Sequence, residues 1–346
     1  MGSATTDEII PFTTEDGRVC NLIHVLGKHS PSRGPVLLVH GAGVRANIFR
    51  PPVETTFVDA LLERGYDVWL ENWRASIDFP PNKWTLDQAA LYDHPAAVRI
   101  VLEQSGARTL KAVIHCQGST SFMMSAVAGL VPQVTTIVTN AVSLHPMIPW
   151  LARQKLRFAM PIVSHLTPYL NAQWGEHAQG FVPMSLKALV LLTHHECHNG
   201  VCRFTSFTYG VGFPVLWRHE NLSAAIHSWI KGEFAHVPMS FFHQMSRCVS
   251  AGHLVSSGEG LSGLPDDFLS EPPKTDARIA FIAGKMNRCF LWQSQRATYK
   301  WFERHMPHSH SLHVLNNYGH LDVFIGQKAA RDTFPVLLSA LERPNP

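Results

Sequence analysis

The chain has 346 residues, 45% of them hydrophobic and only 16% charged, and 29 Lys and Arg against 26 Asp and Glu leave a formal charge of +3. So small a charged fraction excludes extended disorder or a polyelectrolyte tail, and without a Lys/Arg cluster no nucleic acid is expected as a partner. No run reaches the ~18 apolar residues of a membrane helix, and the start, MGSATTDEII, lacks a secretory layout, so no integral membrane segment and a cytoplasmic location are expected. Met1-Gly2-Ser3 formally resembles a myristoylation start, but Asp7 and Glu8 follow too closely for lipidation to be the expectation.

In chain order, residues 8–27 predict a hairpin, since β-rich runs flank Glu15-Asp16-Gly17. VLLVH at 36–40 is a continuous apolar run, as a buried parallel strand makes, and stops at Gly41. TTFVDALLERG predicts a helix closed by Gly65, YDVWLENW a strand, and LDQAALYDHPAAVRIVLEQSG a helix whose second piece starts at Pro95. LKAVIH at 110–115 runs directly into CQGSTSFMMSAVAGL, and VTTIVTNAV at 134–142 is the next strand. From 147 to 275 the alternation stops, and segments rich in Trp, Phe, His and Met predict an inserted helical cap. Alternation resumes with ARIAFIAG, LWQSQRATYKWFERH, SLHVLNN and a last helix within QKAARDTFPVLLSALER. The expected class is α/β: a mostly parallel central sheet with helices on both faces, its core parts 1–146 and 276–346 separated by the cap.

A nucleophile on a sharp strand-to-helix turn is written G-x-S-x-G. The corresponding run here is Ile114-His115-Cys116-Gln117-Gly118, with cysteine in the nucleophile's place. A helix N-terminus favours the thiolate, and the Gln117 amide would face an oxyanion. Gly118 fits the small position, whereas Ile114 stands where glycine is usual and implies a wider or differently packed turn. The plainer alternative is a buried structural cysteine. His40-Gly41-Ala42-Gly43, following the first buried strand, suits a donor loop with the Ala42 amide as second donor. His40, Gly41, Gly43 and His115 would support that loop and turn. The same loop spells G-x-G-x-x-A through Ala46, a dinucleotide fingerprint with Glu71 as ribose-binding acid. That alternative leaves Cys116 and the last histidine unexplained, so no cofactor is expected.

The last histidine, His320, lies in the loop after the eighth predicted strand and is the candidate general base. Where an orienting acid is expected, after ARIAFIAG, the loop GKMNRC offers Asn287. A Cys–His pair can pre-exist as thiolate and imidazolium and needs its third member mainly to orient the ring, which an amide oxygen can do, so Cys116, His320 and Asn287 make a coherent triad. Asp322 is an alternative partner, although a residue two positions from His320 usually points away, toward a role in capping the last helix region.

These motifs resemble the α/β-hydrolase superfamily over nearly all of residues 10–343. GYDVWLENWR, YDHPAAV and GHLDVFIG resemble the acid lipase and sterol esterase group. IHCQGSTSF, NAVSLHP, CHNGVCRFTSFTYG and WRHENLSAAIH resemble the hydrolase-like region associated with cholesterol-oxidase-like GMC flavoproteins, where a cysteine likewise replaces serine. Polyhydroxyalkanoate synthases and some depolymerases of the same polyesters also resemble it in their elbow cysteine, but their acid is normally aspartate. The resemblance implies an acyl-processing enzyme that cleaves an ester, lactone or thioester of a hydrophobic acyl or sterol-like substrate through an acyl-cysteine. An acyltransferase or polyester-synthase-like reaction of the same intermediate, and an inactive binding module on the same fold, are the alternatives.

The six cysteines are irregularly placed and do not form a disulfide scaffold. Cys197 and Cys202, within THHECHNGVC, are a loose match to a metal tract, read here as a local loop or a bridge; no metal is predicted.

Overall fold

The structure, a computed structural model, describes residues 5–212, 214–258 and 260–344, so the Met1-Gly2-Ser3 start lies outside the described residues. The predicted hairpin is β1 (Thr6–Thr13) against β2 (Val19–Leu26), antiparallel from Thr6↔Leu26 to Thr13↔Val19. β3 (Pro35–Val39), β4 (Asp67–Asn72), β5 (Leu110–His115) and β6 (Val134–Asn140) follow, each within a residue or two of its apolar run. The helix before β4, Phe57–Glu63, begins with a reciprocal capping box between Thr56 and Asp59. The helix carrying Pro95 loosens to a π turn over Ala89–Asp93 and resumes at His94–Ser105, which absorbs the amide bond that proline cannot make.

Between β6 and β9 (Arg278–Gly284) the described residues add nothing to the large sheet. Among the described residues the regular structure of that stretch is helical apart from β7 (Tyr169–Asn171) and β8 (His236–Pro238), which pair antiparallel, and a single bridge between Val255 and Asp267. These three-residue strands are an addition to the expected all-helical insertion, and are too short to show as alternation in the sequence. β10 (Ser311–Leu315) completes an eight-stranded sheet of order β1-β2-β4-β3-β5-β6-β9-β10, parallel from β4 to β10. The expected single last helix is broken in two, Ala329–Asp332 and Phe334–Glu342, with Pro335 in the first turn of the second.

β3 and β9 are buried along their whole length, and one hydrophobic core joins the sheet to residues of the insertion such as Val201, Trp217 and Phe241. The carboxyl ends of the parallel strands share one edge, where ligands bind in open α/β sheets. Among the described residues no helix is long and apolar enough to cross a membrane.

Candidate active site

β5 ends at His115 in extended conformation (φ −132°), and α1 (Cys116–Val127) starts at the next residue, with Cys116 at φ +57°. A left-handed conformation costs a non-glycine residue roughly 1–2 kcal/mol, so the chain is turned here at an energetic cost. Two glycines make the turn possible. A Cβ on Gly118 would fall on the carbonyl oxygen of His40, and one on Gly41 would sit 2.8 Å from Cys116 Cβ. Ile114 does not widen the turn out of this geometry: it stays in the sheet, paired with Val39 and Thr139, and the close approach is made by Gly41 and Gly118 instead.

β3 and β5 are sheet neighbours, so the loop after β3 lies beside the turn. The main-chain amides of Gln117 and Ala42 both face Cys116 Sγ. His40 holds the loop, with Nδ1 donating to Gly41 O at 2.6 Å and its carbonyl accepting from the Trp73 indole at 2.9 Å. The Tyr209 hydroxyl donates to Ala42 O at 2.7 Å. Burial pushes the Cys116 thiol up to about 12, while the two amides pull the other way. The expected ready thiolate is thereby corrected: a helix start and two amides are outweighed by desolvation of the sulfur.

His320 reaches the turn from the loop after β10. Ring nitrogens of His115 and His320 both lie within 4.8 Å of Cys116 Sγ, and the two rings meet edge to face at 4.8 Å. Asn140, ending β6, fixes this pair: its amide nitrogen donates to His115 Nδ1 at 2.9 Å and to the His320 carbonyl at 3.1 Å. Asn287, after β9, is brought to His320 as expected, but with the opposite polarity. Its Oδ1 accepts from the amides of Cys289 (2.9 Å) and Phe290 (3.0 Å), so Nδ2 faces His320 Nδ1 at 3.1 Å. The amide donates where an oxygen was expected to accept, because turning it over would set its NH2 against two N–H groups. The ring proton of neutral His320 therefore resides on Nε2. Burial pushes this histidine down to about 3.

Asp322 does not serve the ring. Its Oδ1 accepts from Gly319 N at 2.8 Å and its Oδ2 from Asn221 Nδ2 at 2.6 Å, fastening the His320 loop to the insertion. Glu71 is likewise no ribose ligand: it is fully buried and bonds His94 Nδ1 at 2.9 Å, while His94 Nε2 meets Ser121 Oγ at 2.7 Å. Nothing in the sequence signals this Ser–His–Glu chain beyond His94 within YDHPAAV. All three side chains are enclosed, and Ser121 also donates to Gln117 O at 3.0 Å, so the network braces α1 against β4.

A narrow cavity lies over the sulfur, bounded by Ala42, Ile48, Cys116, Tyr209, Phe234 and His320. A second is lined by Gln117, Leu156, Met160, Tyr209, Phe242 and Phe290 among others, with Lys155 on its wall pushed down to about 7 by burial. Tyr209 borders both.

The model of the alpha/beta hydrolase fold family matches residues 34–327. Sterol esterase 2 of Saccharomyces cerevisiae is 30% identical over 133 residues, 34% of this chain and 25% of that protein. Lipase 1 of Drosophila melanogaster is 26% identical over 212 residues, 57% of this chain and 42% of that protein. The chain thus spans well under two thirds of the length of these relatives. A lipase solved in its open form superposes with a TM-score of 0.60 at 14% identity, covering 98% of this chain and 99% of that one.

Proposed function

Because the chain belongs to the α/β-hydrolase family, by the match over residues 34–327, we propose that it is a thiol-dependent acyl hydrolase in which Cys116 attacks an ester, lactone or thioester carbonyl. The observation that carries this reading is the left-handed Cys116 whose sulfur faces the amides of Ala42 and Gln117, the arrangement that stabilises a carbonyl oxygen turning into an oxyanion. Sterol esterase and lipase relatives support ester cleavage, and the apolar cavity beside Gln117 supports a hydrophobic acyl group. Trp150, Phe158, Ile162, Phe181 and Leu192, exposed on the inserted stretch, suit an apolar substrate, and we read 147–275 as a cap over the site.

In this mechanism the Sγ–acyl bond forms as the thiol proton moves to His320 Nε2, the bond to the leaving alcohol or thiol breaks as that proton is handed over, and water then cleaves the acyl-cysteine. Nε2 can accept only after the ring has moved its own proton to Nδ1, against the Asn287 amide. Otherwise the amide must turn over and lose two backbone bonds, at a cost of roughly 1–3 kcal/mol for a polar group left unsatisfied. Proton transfer is therefore throttled, and activated acyl groups such as thioesters are favoured over plain fats.

The test is a panel of medium- and long-chain acyl thioesters and p-nitrophenyl esters, run with and without an added alcohol acceptor, with intact-mass analysis of the trapped protein. An acyl adduct on Cys116, and turnover lowered at least about 10³-fold in Cys116→Ala, are expected. Unchanged turnover in that variant would sink the reading. A second reading, an inactive binding module, is favoured by the donor polarity of Asn287; no adduct and no turnover with any substrate would select it.

A further inference from the structure

Away from the elbow, four ligating side chains converge. Cys197 lies in the loop before α2 (Gly200–Tyr209), and Cys202 in its first turn, where Asn199 Oδ1 accepts from Cys202 N at 3.0 Å. His219 comes from a 3-10 turn, His219–Asn221, and His227 from α3 (Ala224–Trp229). One ligand atom from each of the four lies within 4.8 Å of the others. Cys202 Sγ and His219 Nε2 are 3.3 Å apart, and His227 Nε2 is buried with no hydrogen-bond partner among the described residues. The two sulfurs are not joined as a disulfide.

We propose that Cys197, Cys202, His219 and His227 hold a structural zinc ion. Two thiolates and two imidazoles are a zinc donor set, and tetrahedral coordination places such ligand atoms roughly 3.3–3.8 Å apart, a contraction of at most about 1.5 Å from what is seen. All four positions are filled by protein, which leaves none open for water activation and makes the ion a staple. The surroundings suit a cation: Glu196 adjoins the cluster and acts electrostatically on Cys197 and His219. Binding releases the thiol protons to solvent, and the imidazoles bind through neutral ring nitrogens.

The staple would have a reach beyond its own loop. It fastens the start of α2 to the 219–229 segment, and the last residue of α2 is Tyr209, which holds the Ala42 carbonyl. Cys-x4-Cys alone does not predict this, because both histidines arrive from 17 and more residues downstream.

The untagged full chain, purified under reducing conditions and equilibrated with zinc, should retain one equivalent by elemental analysis. Cobalt substituted for zinc should give the strong visible bands and thiolate charge-transfer absorption of a tetrahedral site. The equivalent should persist in Cys116→Ala and be lost in Cys202→Ser and in His227→Gln, the latter more accessible and safer for folding, with circular dichroism checking the fold. Chelation should lower the Tm of the parent chain and leave that of folded His227→Gln unchanged. No retained metal, weak octahedral cobalt bands, or a Cys197–Cys202 disulfide mapped in the freshly purified protein would each overturn the proposal.

Discussion

Two groups of cysteine and histidine in this molecule are made from the same side chains and are set up for different chemistry. Around Cys116 every partner is enclosed: burial holds the thiol up and His320 down, so the neutral pair prevails over thiolate and imidazolium. Around Cys197 the thiol is half-buried, and hydrogen bonds from Cys202 and His219 bring it low. What separates them is solvent and hydrogen-bond direction, and neither is written in the residue types. A buried thiol with two amides aimed at it gains most when charge develops on an acyl oxygen, whereas two thiols and two imidazoles gathered within 4.8 Å of one another gain most from a metal ion.

The sharpest way to break this contrast is Asn287→Asp. One carboxylate oxygen would keep the amides of Cys289 and Phe290, and the other would accept from His320 Nδ1, moving the ring proton away from Nε2 and stabilising the imidazolium. On the proposed reading kcat/KM at pH 7 rises about 10²-fold. The pH profile changes with it. In the parent chain His320, held near 3, and the thiol, held near 12, are both neutral from pH 5 to 9, so the protonation state that the proton transfer needs is present throughout and the rate is flat across this range, with no histidine limb. In the variant a limb near neutrality should appear. If the variant is no faster and its profile has the parent's shape, the donor polarity of Asn287 does not limit the rate.

Thiol labelling sharpens the same comparison with a smaller effect. In reduced, metal-free protein at pH 7, iodoacetamide should modify Cys197 at least about tenfold faster than Cys116, because the thiolate is the reactive form. Peptide mapping against time reads this directly. Cys116 reacting first would mean that its two amides and His320 outweigh burial after all.

Much of the frame of the site was legible because it depends on local signals. Apolar runs that stop at His40, His115 and Gly284 mark the strand ends, and chain order picks His320 out of 21 histidines and Asn287 out of its loop. The direction of the Asn287 amide was not legible, since it is set by two backbone N–H groups whose placement depends on the folded loop. The raised thiol depends on the packing of residues far apart in the chain, including Tyr209 and Phe234 over the sulfur. For the same reason Cys197 and Cys202 were visible as a pair while His219 and His227 were not: their approach is made by the insertion's own tertiary packing.

Tyr209 belongs to both regions, ending the helix that Cys202 starts and bonding the loop that faces Cys116, so Tyr209→Phe measures how far one leans on the other. The ring stays to line both cavities, and only the hydroxyl bond to Ala42 O is lost. A hydrogen bond of this kind contributes about 0.5–1.5 kcal/mol net, which corresponds to a fall of roughly 2–10-fold if it is felt in the transition state. Because the bond positions the Ala42 amide without touching the acyl chain, the fall should appear in kcat with KM little changed, and zinc content should stay at one equivalent. A rise in KM at constant kcat would make Tyr209 a wall of the pocket and nothing more, and the helix would then carry no influence from the cysteines at its start to the amide at the turn.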